Sequence, residues 1–141
     1  MFKQTLVTTV VLFILWSVID FLVHGILLQS AYQETVHLWR SDDEYYAMLV
    51  SAVTLIYGFC VVSIDSNFIA PKSLTTGFNY CVALGAGVSA LVGLGSFSYM
   101  PIPFSLAIAW FGVSFIKLVA AGLVAGYVVK EPATAIGDSA I

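Results

Sequence analysis

The stretch Trp16-Ser17-Val18-Ile19-Asp20-Phe21-Leu22-Val23-His24-Gly25-Ile26-Leu27-Leu28 decides how the chain is read. It closes an apolar run over 8–28 that is long enough to cross a bilayer, yet it carries two ionisable side chains, Asp20 and His24, one turn apart. Crossing a hydrocarbon layer of about 30 Å takes roughly 20 helical residues. Charge in that layer is costly, so it needs a partner or a purpose. Three more apolar runs follow, at about 46–64, 78–97 and 104–129, and Lys117 stands in the middle of the last. Of 141 residues 60% are hydrophobic and only 9% charged. The chain therefore reads as one all-α domain spanning 1–141, an integral membrane four-helix bundle.

The breaks between the runs carry turn chemistry. Ser41-Asp42-Asp43-Glu44 has the form of a capping box opening the second helix, Pro71 falls in the second connection, and Pro101 and Pro103 bracket the start of the fourth helix. The tail 131–141 is poor in large apolar residues and is expected to be loose. The first run is longer than a signal-peptide core, and no small-residue cleavage pattern follows it, so an uncleaved span fits best. Lys3, Lys72 and Lys130 fall on one side of the four spans and Arg40 on the other, which places both termini in the cytoplasm of a multi-pass protein. The connection 29–44 then faces outward. Tyr32 and Trp39 within it suit interface anchors at the lipid headgroups, with a partner's docking surface as the alternative.

Several function classes are disfavoured. The net charge of -3, concentrated in Asp42, Asp43 and Glu44, offers no basic surface for nucleic acid. Cys60 and Cys81 are too few and too far apart for a disulfide framework or a zinc site, and both suit core packing. There is no metalloprotease HExxH, no serine nucleophile elbow and no phosphate loop, so no enzyme is expected. No internal repeat is visible.

Small residues recur at helical spacing in the last two spans: Gly85, Ser89 and Gly93 in the third, Gly122 and Gly126 in the fourth. Such stripes let membrane helices approach closely, so the third and fourth spans are expected to pack together, with a second copy or another subunit as the alternative face. Trp16, Asp20 and His24 share one face of the first span. Span one ascends and span four descends, and side chains lean toward each helix's N-terminus, so Asp20 and Lys117 lean toward each other. An intramembrane Asp20–Lys117 ion pair is predicted, closing the bundle into a ring, with His24 as a polar partner bonded to Asp20 or to outer-side water. A proton relay through Asp20 and His24 is the functional alternative, weakened by the lack of a further acid in the later spans. A metal site of Asp20, His24 and His37 is a third reading. Neither a metal nor a cofactor is expected. Tyr57, Asp65, Asn67 and Asn79 read as a diffuse polar group at the cytoplasmic side.

Asp20-Phe21-Leu22-Val23-His24-Gly25-Ile26-Leu27-Leu28, with Tyr32, Leu38-Trp39-Arg40, Met100-Pro101-Ile102-Pro103 and Ala109-Trp110-Phe111, resembles a group of small bacterial four-helix membrane proteins of unknown function, similar in layout to the DUF1761-like proteins. The resemblance covers most of the chain. It implies a protein of the bacterial inner membrane and assigns no activity or site. The chain is thus expected to be a noncatalytic accessory or structural subunit of a larger bacterial membrane complex, energy-converting complexes included. Its partners are then the lipid bilayer and other membrane subunits, with lipid, quinone or pigment as further contacts of the apolar faces. The alternative is a small homo-oligomeric proton-coupled transporter or channel using Asp20 and His24.

Overall fold

The computed structural model describes residues 2–130, and every regular element among them is helical. In chain order these are α1 (Phe2–Leu27), the short α2 (Gln29–Glu34), α3 (Ala47–Phe68), α4 (Leu74–Tyr99) and α5 (Phe104–Val128). The four long helices are each long and apolar enough to cross a membrane. The expected tail lies outside the described residues.

Helices α1, α3 and α4 outrun the apolar runs that announce them, because backbone hydrogen bonding does not stop where hydropathy falls. Polar residues at the ends are absorbed by bonding back one turn, as Asn67 does by donating to the Ser63 carbonyl at 2.8 Å. The extension of α3 to Phe68 brings Asp65 inside a long helix, so the later spans do hold an acid, contrary to the shorter boundaries.

Termination follows the prolines and one serine. Pro103 precedes α5 with φ near -60°, and Ser73 caps α4 by accepting from the Thr76 amide at 3.1 Å. The capping box assigned to residues 41–44 is not a helix start. Asp42–Glu44 form an isolated 3₁₀ turn, the Glu44 amide donates to the Ser41 carbonyl at 2.9 Å, and α3 begins only at Ala47. Three successive acids have no apolar face to bury, so the long helix starts where the apolar run does.

Two short π-helical segments interrupt the ladders. One, Phe21–Leu27, contains His24, and the other, Leu91–Gly95, contains Gly93. Insertions of this kind re-aim side chains and often mark sites of function.

Packing is uneven. The α4–α5 interface is the most extensive, α1 packs on α3 and on α5, and α3 meets α5 slightly and α4 sparsely. Helix α3 reaches α4 through the core that all four long helices share and through the Tyr80 hydroxyl, which donates to the Val61 carbonyl at 3.4 Å. The main core joins Leu12 and Trp16 of α1 to Val61 and Val62 of α3, Cys81 of α4, and Leu118 and Ala121 of α5. Cys81 belongs to this core, but Cys60 faces outward, so only one of the two cysteines packs as expected.

Glycines explain why α4 and α5 lie so close. A Cβ at Gly93 would stand 2.5 Å from the Ala107 carbonyl oxygen, one at Gly122 2.6 Å from the Gly77 carbonyl oxygen, and one at Gly126 2.8 Å from Leu74 Cα. Gly77 belongs to the same seam: with Cys81 it continues the four-residue spacing of Gly85, Ser89 and Gly93 toward the start of α4. In lipid, which removes the hydrophobic drive, so close an approach would supply dispersion contact. Gly93→Ala and Gly122→Ala should each destabilise by about 1–3 kcal/mol, the usual cost of overpacking. Thermal unfolding in detergent measures this, and Gly112→Ala, where an added Cβ meets nothing within 4 Å, should leave the midpoint unchanged or raise it.

Candidate functional site

The polar groups of α1 and α5 gather along one seam. The Lys117 ammonium donates to both carboxylate oxygens of Asp20, at 2.8 and 2.7 Å. Trp16, one turn before Asp20 and fully buried, donates its indole N–H to the Lys117 carbonyl at 2.8 Å. Its ring also lies 5.4 Å from the Lys117 ammonium, within cation–π range. One residue of α5 is thus held through its backbone and its side chain by two residues of α1, so the pair fixes both the depth and the rotation of one helix against the other.

His24 is placed differently from the expectation. Its Nε2 is 3.9 Å from Asp20 Oδ1, too long for a hydrogen bond, while its Nδ1 lies 2.6 Å from the Tyr32 hydroxyl. The π turn makes this possible: the Leu28 amide bonds back to the Val23 carbonyl, five residues away, and the chain then folds into α2 so that Tyr32 returns over His24. The Tyr32 oxygen also accepts the Trp110 indole proton at 2.8 Å. An indole can only donate, which leaves the phenol's own proton free for His24 Nδ1; in that arrangement the neutral imidazole carries its proton on Nε2, facing Asp20. Burial raises the pKa of the Tyr32 phenol, an effect opposed by the Trp110 hydrogen bond and reinforced by the charge of Asp20, so it remains a donor at neutral pH.

Above this chain the connection folds down as an aromatic cover. The Trp39 ring stands edge-on to Tyr32 at 5.5 Å and tilted against Trp110 at 5.9 Å, and its indole donates to Thr35 Oγ1 at 3.0 Å. Tyr32 and Trp39, expected as separate anchors, are half-buried against one another and against Ile102, Leu106 and Ala107. Aromatic rings that can satisfy their polar tips within the protein gain more from stacking together than from standing apart.

The remaining expected groups separate. No cluster of three His, Cys, Asp or Glu suited to a metal occurs among the described residues, so Asp20, His24 and His37 do not converge, and His37 is exposed in the 3₁₀ turn Val36–Leu38. Of the supposed polar group, Tyr57 stands beside Trp16 at 5.5 Å between ring centroids, far along α3 from Asp65. Asp65 is buried, and Lys72 donates to its backbone carbonyl and to that of Ile69. Gly85, Ser89, Gly93, Gly122 and Gly126 all lie buried in the α4–α5 seam. Trp110 went unassigned as a site residue although it precedes Lys117 by seven positions, two turns along the same face of α5. Tyr32's bond to His24 had no periodic signal, because it crosses a turn.

No family model, no curated protein and no solved structure matches the chain.

Two measurements check the site. Asp20→Asn and Lys117→Met should each lower stability by about 2–3 kcal/mol, somewhat less than for a sealed pair because both side chains keep some exposure, and the double variant should recover most of it. For His24, nitrogen NMR at neutral pH should show an unprotonated Nδ1 and a protonated Nε2, and Tyr32→Phe should abolish that tautomer preference.

Proposed function

We propose that the chain is a multi-pass protein of the bacterial inner membrane, with both termini cytoplasmic, and that it serves as a noncatalytic accessory subunit of a larger membrane complex. The four helices cross the bilayer as one bundle, and the connection between α1 and α3 lies at the outer face. Lysine at positions 3, 72 and 130 supports that orientation, since cytoplasmic ends are rich in lysine and arginine.

The observation that carries the noncatalytic reading is the bidentate engagement of Asp20 by Lys117. The Lys117 ammonium and the Asp20 carboxylate are engaged with each other, and the imidazole beside them is already bonded to Tyr32. The resemblance to DUF1761-like proteins agrees in layout. An accessory role is further supported by α3, whose Leu49, Val53 and Ile56 are exposed along a face that the rest of the chain leaves open to other helices or to lipid.

A proton-coupled transporter is the second reading. In its favour, Asp20, His24, Tyr32 and Trp110 form a continuous polar string from the ion pair to the outer connection. Against it, Leu12, Trp16, Val61 and Val62 are almost wholly buried between that string and the inner polar residues Thr5, Thr8, Asp65 and Ser66. Water would have to breach two turns of apolar side chains to complete a path.

Membrane extraction in mild detergent followed by affinity purification distinguishes the readings: stable co-migration with other polypeptides is expected, and a lone homo-oligomer that dissipates a proton gradient in liposomes would replace the accessory role with transport. Orientation is tested separately by reporter fusion at the C-terminus. A fluorescent protein there should mature and a periplasmic phosphatase should stay inactive.

A further inference from the structure

The connection between α1 and α3 is tied to the long helices through one hydroxyl. Tyr32 of α2 lies 2.6 Å from His24 Nδ1 on α1 and accepts the Trp110 indole proton of α5 at 2.8 Å. Trp39 stands edge-on to the same ring, and Leu28 and Leu38 pack with it on Ile102, Leu106 and Ala107. His24 is one turn from the end of α1 and its side chain is 36% exposed, so a proton reaches it without entering the core. The ionisable groups facing it are Asp20 on its own helix, Tyr32 on α2 and, beyond Asp20, Lys117 on α5. Asp20 and Lys117 carry opposite charges and offset one another.

Two observations select the resting tautomer. Trp110 donates to the Tyr32 oxygen, and His24 Nδ1 is the other hydrogen-bond partner of that phenol among the described residues, so the phenol proton has an acceptor when Nδ1 is bare. The second imidazole nitrogen, Nε2, faces the Asp20 carboxylate at 3.9 Å, where a proton is attracted and a lone pair repelled.

We propose that His24 is an acid-operated latch: protonation at Nδ1 ends its bond from Tyr32 and loosens the cover formed by residues 29–39 from α1. The proton comes from water at the connection and forms an N–H bond at Nδ1, while the phenol keeps its own. Two donors then meet across 2.6 Å. To accept instead, Tyr32 must turn its proton into the apolar cluster, which leaves a half-buried donor unpaired. The imidazolium is also drawn toward Asp20, and closing the 3.9 Å gap carries the ring away from Tyr32. Both effects weaken the same tie. Histidine is the side chain that ordinarily titrates in mild acid, which sets the range in which the latch works. The inference goes beyond the accessory role and holds with or without it; orientation decides only which compartment's acidity is read.

The test is amide hydrogen exchange of the full chain in phosphatidylcholine nanodiscs, which admit buffer to both faces. Rates are expressed as protection factors, which removes the intrinsic pH dependence of exchange, and are followed from about pH 8 to about pH 5. The Tyr32, Leu38 and Trp39 amides, bonded to the Leu28, Thr35 and Val36 carbonyls, report the cover. Their protection should fall about three- to tenfold in one step on acidification, the weight of one hydrogen bond, while amides in the middle of α5 stay constant. His24→Gln and Tyr32→Phe should each abolish the step. His37→Gln, at the exposed histidine of the same connection, should preserve it. Protection that is flat across the range, a step that survives His24→Gln or Tyr32→Phe, or one lost in His37→Gln would overturn the proposal, as would an equal fall in α5, which reports general loosening. If either substitution prevents folding, the profiles of the unaltered chain and of His37→Gln decide.

Discussion

The contact on which the arrangement turns is the ammonium of Lys117 held between the two oxygens of Asp20. In the hydrocarbon that four helices of this length and apolarity suit, neither side chain would be tolerable alone, and helix arrangements that leave them apart would be removed from competition. The net stability gained is small, because desolvation offsets most of the Coulomb attraction. Its effect is selective: it makes α1 and α5, the first and last long helices, neighbours. Trp16 refines that choice by engaging the same lysine through both its carbonyl and its ammonium.

A second constraint of a different kind acts between α4 and α5. Glycine there removes the side chains that would hold two backbones apart, and Gly77, Gly93, Gly122 and Gly126 allow an approach that no other residue permits without displacement of the partner. An electrostatic pin on one side of α5 and a steric seam on the other fix its two main neighbours, and α3 packs chiefly on α1 while reaching the shared core through Val61 and Val62.

The existence and number of the long helices were legible in composition and run length, and the juxtaposition of residues 20 and 117 followed from helix direction and side-chain lean. Each of those inferences uses only the geometry of a single helix and the antiparallel alternation of spans. What was not legible depends on irregular backbone. Tyr32 reaches His24 only because the ladder loosens into a π turn at Phe21–Leu27 and then bends, and neither step leaves a period in the sequence. The false capping box at residues 41–44 shows the converse, a local pattern that satisfies its rule yet loses to the position of the apolar run. Tyr57 was misplaced for a third reason. Polar residues were grouped by the assumption that they sit near helix ends, whereas this phenol is held at depth by ring contact with Trp16.

The tautomer of His24 connects these features. Trp110 donates to Tyr32, and in the tautomer with Nδ1 unprotonated Tyr32 donates on to His24, so that the order of donors runs inward from the aromatic cover to the carboxylate. The last gap, 3.9 Å between Nε2 and Asp20, is too long for a direct bond and short enough for a rotation of the ring or a single water to close. A second proton on the imidazole would have to enter at Nδ1, where Tyr32 now donates, and would oblige the phenol to accept from both neighbours and turn its own proton elsewhere. The aromatic cover is therefore coupled to the protonation of His24 through one hydroxyl.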